Sequence, residues 1–225
     1  MATSGTNAFD LDIGDIIQEA YDRAGVPLRS GYDYQTARRS LDLMMQEWAN
    51  KGRNMWKVMQ SSTPLVAGTS AYTLATDVVD VIEVAVRTGT GTSQSDTMLT
   101  RIPVNQWATI PNKNATGKPN QFWVNRVAPI VVNLYPTPDT ADTLVYWYVQ
   151  RIEDTGTTAS NNIDAPHRFL PALCAGLAYY VAMKKPGLEQ RVPFLKGIYD
   201  EQYDLAAQED REKTPLYLVP RRGRW

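Results

Sequence analysis

His167 and Cys174 are the only histidine and cysteine in the 225-residue chain. Any histidine-based triad must therefore use His167. It follows Pro166 at the expected start of a helix, a place for a capping or surface imidazole. General-base work needs a nucleophile and an orienting carboxylate, and no local residue supplies them. Cys174 falls in the apolar run 170–177, where no basic neighbour lowers its pKa, so an inert, buried thiol is expected. Residues 89–92, Gly-Thr-Gly-Thr, have the look of a phosphate loop. They lack the Gly-Lys-Ser/Thr continuation and a following helix, and read as a hairpin tip. The acid pairs Asp200/Glu201 and Glu209/Asp210 lie on a helix, where neighbours point about 100° apart. Neither pair can form a carboxylate dyad, and both read as a solvated face. Trp48, Trp56, Trp107, Trp123, Trp147 and Trp225 could stack on sugars or bases. Most sit inside apolar stripes or strands, so core packing is expected for at least four. No catalytic, cofactor-binding or metal-ligating residue is assigned.

Composition points the same way. A hydrophobic fraction of 43% supplies a core, and a charged fraction of 21% with net charge -1 gives no bulk pull towards nucleic acid or membrane. A single cysteine cannot form an intramolecular disulfide, which fits a reducing compartment or a particle assembled in one. No apolar run reaches the roughly 18 residues of a membrane span. The small, polar residues 1–10 lack the basic start of a signal peptide.

The elements that must position these residues come in three blocks. Ile13, Ile16, Ile17, Ala20, Tyr21 and Ala24 recur at helical spacing, with Asp12 as N-cap and Gly25 and Pro27 as the stop. A second helix is expected to begin near Asp33, as cap, and to bury Ala37, Leu41, Met44, Met45 and Trp48, ending at Lys51 and Gly52. The short link around Gly31 favours an antiparallel helical hairpin. Helical periodicity then stops. Short runs at 56–60, 71–74, 79–87, 98–102, 121–125, 130–135 and 144–151 alternate with turn residues, and the last, LVYWYVQR, has strong strand chemistry. These favour a small antiparallel sandwich or barrel. Helix returns after Asp164, Ala165 and Pro166, with Phe169, Leu170, Leu173, Leu177, Tyr180 and Val181 as its apolar face and Lys184, Lys185 and Pro186 as its end. A last helix is expected over 188–213, with Leu195, Ile198, Tyr199, Gln202, Leu205 and Ala206 inward and a solvated, charged far end.

The fold class expected is thus α+β: helical hairpins at both ends packed as a bundle, a central antiparallel β-sandwich or barrel-like insertion, and an extended C-terminal arm. The expected division is 1–55 with 163–213 as a discontinuous helical domain, 56–162 as the insertion, and 214–225 as the arm. The arm, TPLYLVPRRGRW, has two prolines that prevent a regular helix. Leu216, Tyr217, Leu218 and Val219 would be worth about 1.5–3 kcal/mol each if buried. With Arg221, Arg222, Arg224 and Trp225 they make the residue mix of an interface. The arm folds back on its own domain, is simply disordered, or docks on a partner, and the partner reading is preferred.

Two stretches, MATSGTNAFDLDIGDIIQEAY (residues 1–21) and ARRSLDLMMQEWANKGR (residues 37–53), resemble the head-to-tail adaptor proteins of short-tailed bacteriophages. The resemblance implies a non-enzymatic virion protein, assembled in the host cytoplasm. It implies a homo-oligomeric ring, typically a dodecamer, that joins the capsid portal protein to the tail nozzle or a tail fibre protein. Genomic DNA would cross the lumen during ejection without sequence-specific binding, and no cofactor or membrane is implied. In such proteins the C-terminal arm runs along the portal, and 214–225 falls in that place. Two alternatives stay open: a tail nozzle or fibre-attachment subunit, and a carbohydrate-binding or hydrolytic module on the β insertion.

Overall fold

The computed structural model describes residues 11–52 and 55–211, together with Gly5. The chain is α+β, with five α-helices and two four-stranded sheets among the described residues. It divides into two compact units. One comprises the described residues up to Trp56 and those from Glu153 onward, and the other is Lys57–Ile152.

The helical unit holds α1 (Ile13–Ala24), α2 (Gly31–Lys51), α4 (Leu170–Lys184) and α5 (Val192–Glu209). Helix α1 is amphipathic and buries Ile13, Ile16, Ile17, Ala20, Tyr21 and Ala24, the six residues its periodicity selects. The Asp12 carboxylate accepts from the Asp15 amide at 2.8 Å and so satisfies one of the orphan donors of the first turn. Helix α2 buries the expected Ala37, Leu41, Met44, Met45 and Trp48. Its cap, however, is Ser30 rather than Asp33. The Ser30 hydroxyl accepts from the Asp33 amide at 3.2 Å, and the Asp33 carboxylate reaches back to the Arg29 amide at 3.4 Å. The serine hydroxyl thus takes up an orphan amide of the first turn, to which Asp33 belongs.

Helix α4 is apolar nearly all round, with ten of its residues buried, among them Leu173, Cys174, Gly176 and Leu177. A helix of that kind belongs at the centre. Accordingly α1, α2 and α5 all pack on it, and α1 and α2 meet α4 more extensively than they meet each other. Helix α5 is shorter than the expected 188–213. It buries Leu195, Tyr199, Tyr203, Ala206 and Ala207, while Leu205, expected inside, is 55% exposed. Two stripes compete on this helix. The one carrying two tyrosines wins because Trp48 and Phe169 offer ring partners to Tyr203 at 5.3 and 6.3 Å. The far end is not wholly solvated either. Asp210 is 7% exposed, and its carboxylate accepts a hydrogen bond from Arg168.

The polar stretch from Glu153 buttresses this unit. Carbonyls of Asn161 and Ala159 accept from the amides of Ile13 and Gly14 at 3.0 Å each, and buried Thr155 donates its amide and hydroxyl to Asp42 at 3.0 and 2.9 Å.

The β unit contains β1 (Val58–Pro64), β2 (Ala71–Thr73), β3 (Val78–Thr88), β4 (Ser95–Met98), β5 (Thr100–Arg101), β6 (Gln121–Asn125), β7 (Val131–Tyr135), β8 (Thr143–Gln150) and the short α3 (Val104–Thr109). One sheet has the order β1-β8-β3-β4 and is antiparallel throughout. The other has the order β2-β7-β6-β5 and is mixed, because β5 pairs with β6 in parallel. Neither sheet closes on itself, so the barrel form of the expectation is set aside. One apolar core takes Val81, Val84, Val86, Leu144 and Tyr146 from the first sheet and Phe122, Val124, Val132 and Leu134 from the second. The run expected as one strand at 98–102 divides between sheets: β4 pairs with β3 and β5 with β6, with Leu99 at the crossing donating to the Val84 carbonyl at 2.9 Å.

Candidate functional site

The arm residues Leu216, Tyr217, Leu218, Val219, Arg221, Arg222, Arg224 and Trp225 lie outside the described residues, as does the rest of the stretch from 212 onward. What the structure describes is the surface from which that stretch departs.

A groove of about 950 Å³ lies on the helical unit, between α1 and the start of α4. Asp15, Gln18, Glu19, Asp22 and Arg23 form the α1 wall. The opposite wall is His167, Arg168, Leu170 and Pro171, with Cys174 below and Leu11 at one end. Helical geometry puts the three acids together: 15, 19 and 22 are spaced by four and three residues and share a face. Glu19 is bonded by Arg23 at 2.6 Å. Asp15 and Asp22 have no ion-pair partner among the described residues, and both are exposed. Arg168 belongs to the short turn His167–Phe169, which packs against α5, and its ion pair with Asp210 fixes the end of α5 beside the groove.

His167, from the short turn His167–Phe169, and Cys174, from α4, therefore line one groove. Cys174 is 2% exposed, and burial pushes its thiol up to about 11. A nucleophilic thiol requires the opposite shift, towards thiolate at neutral pH. His167 is exposed on the groove wall. Among the described residues no group of three or more histidine, cysteine, aspartate or glutamate side chains converges to hold a metal ion. The groove has acidic residues on its α1 wall, apolar Leu170 and Pro171 opposite, and Arg168 at its rim.

The remaining sequence candidates separate. Residues 89–92 lie in the connection between antiparallel β3 and β4 and are exposed there, as a hairpin tip should be. Trp48 is 1% exposed and lies in the helical core, where its indole N–H donates to the Tyr199 hydroxyl at 2.7 Å. Its ring meets Phe169 at 5.3 Å, and Phe169 meets Trp56 at 4.7 Å. Lys51 lies over the Tyr203 ring at 4.1 Å and is paired with Glu47, which also accepts from the Tyr180 hydroxyl at 2.7 Å. This cluster fastens α2 to α4 and α5, and no local pattern signals that rings so far apart along the chain meet. Trp107 and Trp123 are half-buried and stack on each other, 5.6 Å apart at 23°, which occupies one face of each ring. Among the described residues no helix is long and apolar enough to cross a membrane.

Against known families, residues 11–221 match the model described as SU10 adaptor protein. No curated protein matches the chain.

Proposed function

The chain belongs to the SU10 adaptor protein family, which makes it a phage structural adaptor, and from that membership we propose that it forms a ring joining the capsid portal to the tail. The observation that carries this reading is the extent of the match. It spans both compact units and continues through Leu216–Val219 to Arg221, so the greater part of the arm is family sequence. The absence of an activated nucleophile in the α1–α4 groove, with Cys174 held protonated by burial, also favours assembly over catalysis.

In this reading copies of the chain, a dodecamer by the resemblance of its N-terminal helices to short-tailed-phage adaptors, surround a lumen through which genomic DNA leaves the capsid. A net charge of -1 suits a channel that must release DNA rather than hold it. The arm meets portal, and the β unit is a tail-binding surface, an outer decoration that binds fibres, or padding between subunits. Leu216, Tyr217, Leu218, Val219 and Trp225 anchor the arm by burial, while Arg221, Arg222 and Arg224 set its register on acidic partner groups.

The test is removal of residues 214–225. The shortened chain should keep its circular-dichroism spectrum and melting profile and lose retention on immobilised portal protein. Undiminished retention would remove the arm from the account. Cross-links from the arm to a nozzle or fibre protein, with none to portal, would instead favour the tail-nozzle or fibre-attachment reading.

A further inference from the structure

We propose that the groove between α1 and α4 is the seat of the chain's own segment 216–225 before a partner takes that segment up. The inference goes beyond the adaptor reading, which concerns where the arm ends up and not where it starts.

Three observations carry it. The first is where the described chain ends. Asp210 is buried and bonded to Arg168, and Arg168 is itself part of the groove wall, so the chain leaves α5 at the groove's rim. The five residues from Arg211 to Leu216 span at most about 18 Å when extended, enough to enter the groove and too few to bypass it by far. The second is charge. The segment carries Arg221, Arg222 and Arg224 without an acid. The α1 wall carries Asp15 and Asp22, exposed and without ion-pair partners among the described residues. Arginines placed along that wall would supply the missing charge, and their planar forks suit carboxylates. The third is apolar fit. Leu11 is 37% exposed, and Leu170, Pro171 and the flank of Cys174 continue its patch along the groove. Leu216, Tyr217, Leu218 and Val219 are side chains that such a floor would cover. A space of about 950 Å³ admits several side chains of an extended segment and excludes a folded partner.

The three features make one consistent register. The apolar block, nearest the exit, meets the Leu170–Pro171 end, and the arginines that follow it run along α1. A seat made of exposed ion pairs and a modest apolar patch is weak by construction. A portal surface that buries the same side chains more completely would displace it, and an unassembled subunit would meanwhile hide its adhesive residues.

The experiment uses the full chain with p-benzoylphenylalanine in place of Tyr217, irradiated at low concentration. The product should run as a monomer on a denaturing gel, and its cross-linked peptides should map to residues 11–23 and 167–174. The double substitution Asp15→Lys with Asp22→Lys, both at exposed positions, should cut the yield at least about fivefold. Adding Arg221→Glu, Arg222→Glu and Arg224→Glu should restore it, an outcome that damage to the fold could not produce. Cross-links elsewhere in the chain, or yields unmoved by the charge reversals, would overturn the proposal. Cross-links confined to a dimer band would overturn it too, by giving the groove to a neighbouring copy's arm. Portal retention is read on the same variants. Lost cross-linking in the unaltered chain with intact retention refutes the seat alone, and intact cross-linking with no retention refutes the portal role alone.

Discussion

Replacing Gly25 by alanine should cost far more than replacing Gly187, although the two glycines have nearly the same backbone. Gly25 ends α1 at φ +78, and Gly187 follows α4 at φ +84. An L-residue in that left-handed region costs about 1–2 kcal/mol. At Gly187 nothing lies within 4 Å of an added Cβ, so strain is the whole effect. At Gly25 the added Cβ would stand 2.0 Å from Arg191 Nη1. That guanidinium donates to the Ala24 carbonyl at 3.0 Å and to the Arg23 carbonyl at 3.2 Å. It thereby caps the last turn of α1, and ties it to the start of α5, where positive charge also complements the helix dipole. Displacing it forfeits two hydrogen bonds worth about 0.5–1.5 kcal/mol each. Gly25→Ala should therefore destabilise by about 2–5 kcal/mol, against about 1–2 for Gly187→Ala. Urea denaturation of each variant gives the numbers, and a cycle with Arg191→Ala isolates the clamp. In the Arg191→Ala background Gly25→Ala should cost no more than Gly187→Ala. Equal costs for the two glycine variants in the wild-type background would refute the clamp.

Two further outcomes concern the helical core. Tyr199→Phe leaves the buried Trp48 N–H without its acceptor and should cost about 1–3 kcal/mol by urea denaturation; the same change made in Trp48→Phe should cost less, because no donor is then stranded. Burial raises the Cys174 thiol from 9.0 to about 11 and the Tyr199 hydroxyl from 10.0 to about 12. The unfolded chain releases both protons first, so the contribution of these two groups should be constant below about pH 9 and be lost as pH rises to about 12. The loss should be on the order of 2–3 kcal/mol for each group. Cys174→Ala and Tyr199→Phe should each remove its share of that slope, as a pH series of melting temperatures would reveal.

The sequence was most legible where a decision is local. The α1 stripe and its Asp12 cap follow from spacing and from the first turn's need for acceptors. β6 runs over the expected 121–125 because Phe122 and Val124 face the core and Gln121, Trp123 and Asn125 do not. Errors arose where two local answers competed or where the partner lies far along the chain. Serine and aspartate both suit a helix cap, and only the bond from the Asp33 amide to the Ser30 hydroxyl shows which residue caps here. Strand β1 extends through Ser61, Ser62 and Thr63 because β8, more than 80 residues later, pairs with it from Val58↔Val149 to Pro64↔Thr143. No side-chain pattern in 58–64 announces that partner. The parallel β5–β6 pair is equally non-local. The groove was invisible for the same reason: its walls are separated by some 150 residues. Asp210 looked solvated until Arg168 came into reach.

The central claim is a place in the virion. Electron cryomicroscopy of intact particles, with this chain traced in the density, tests it most directly. The account predicts a ring of identical copies directly beneath the portal, with residues 216–225 of each copy lying against portal protein. A chain found elsewhere in the particle, or found in the tail with its arm turned away from portal, would contradict it.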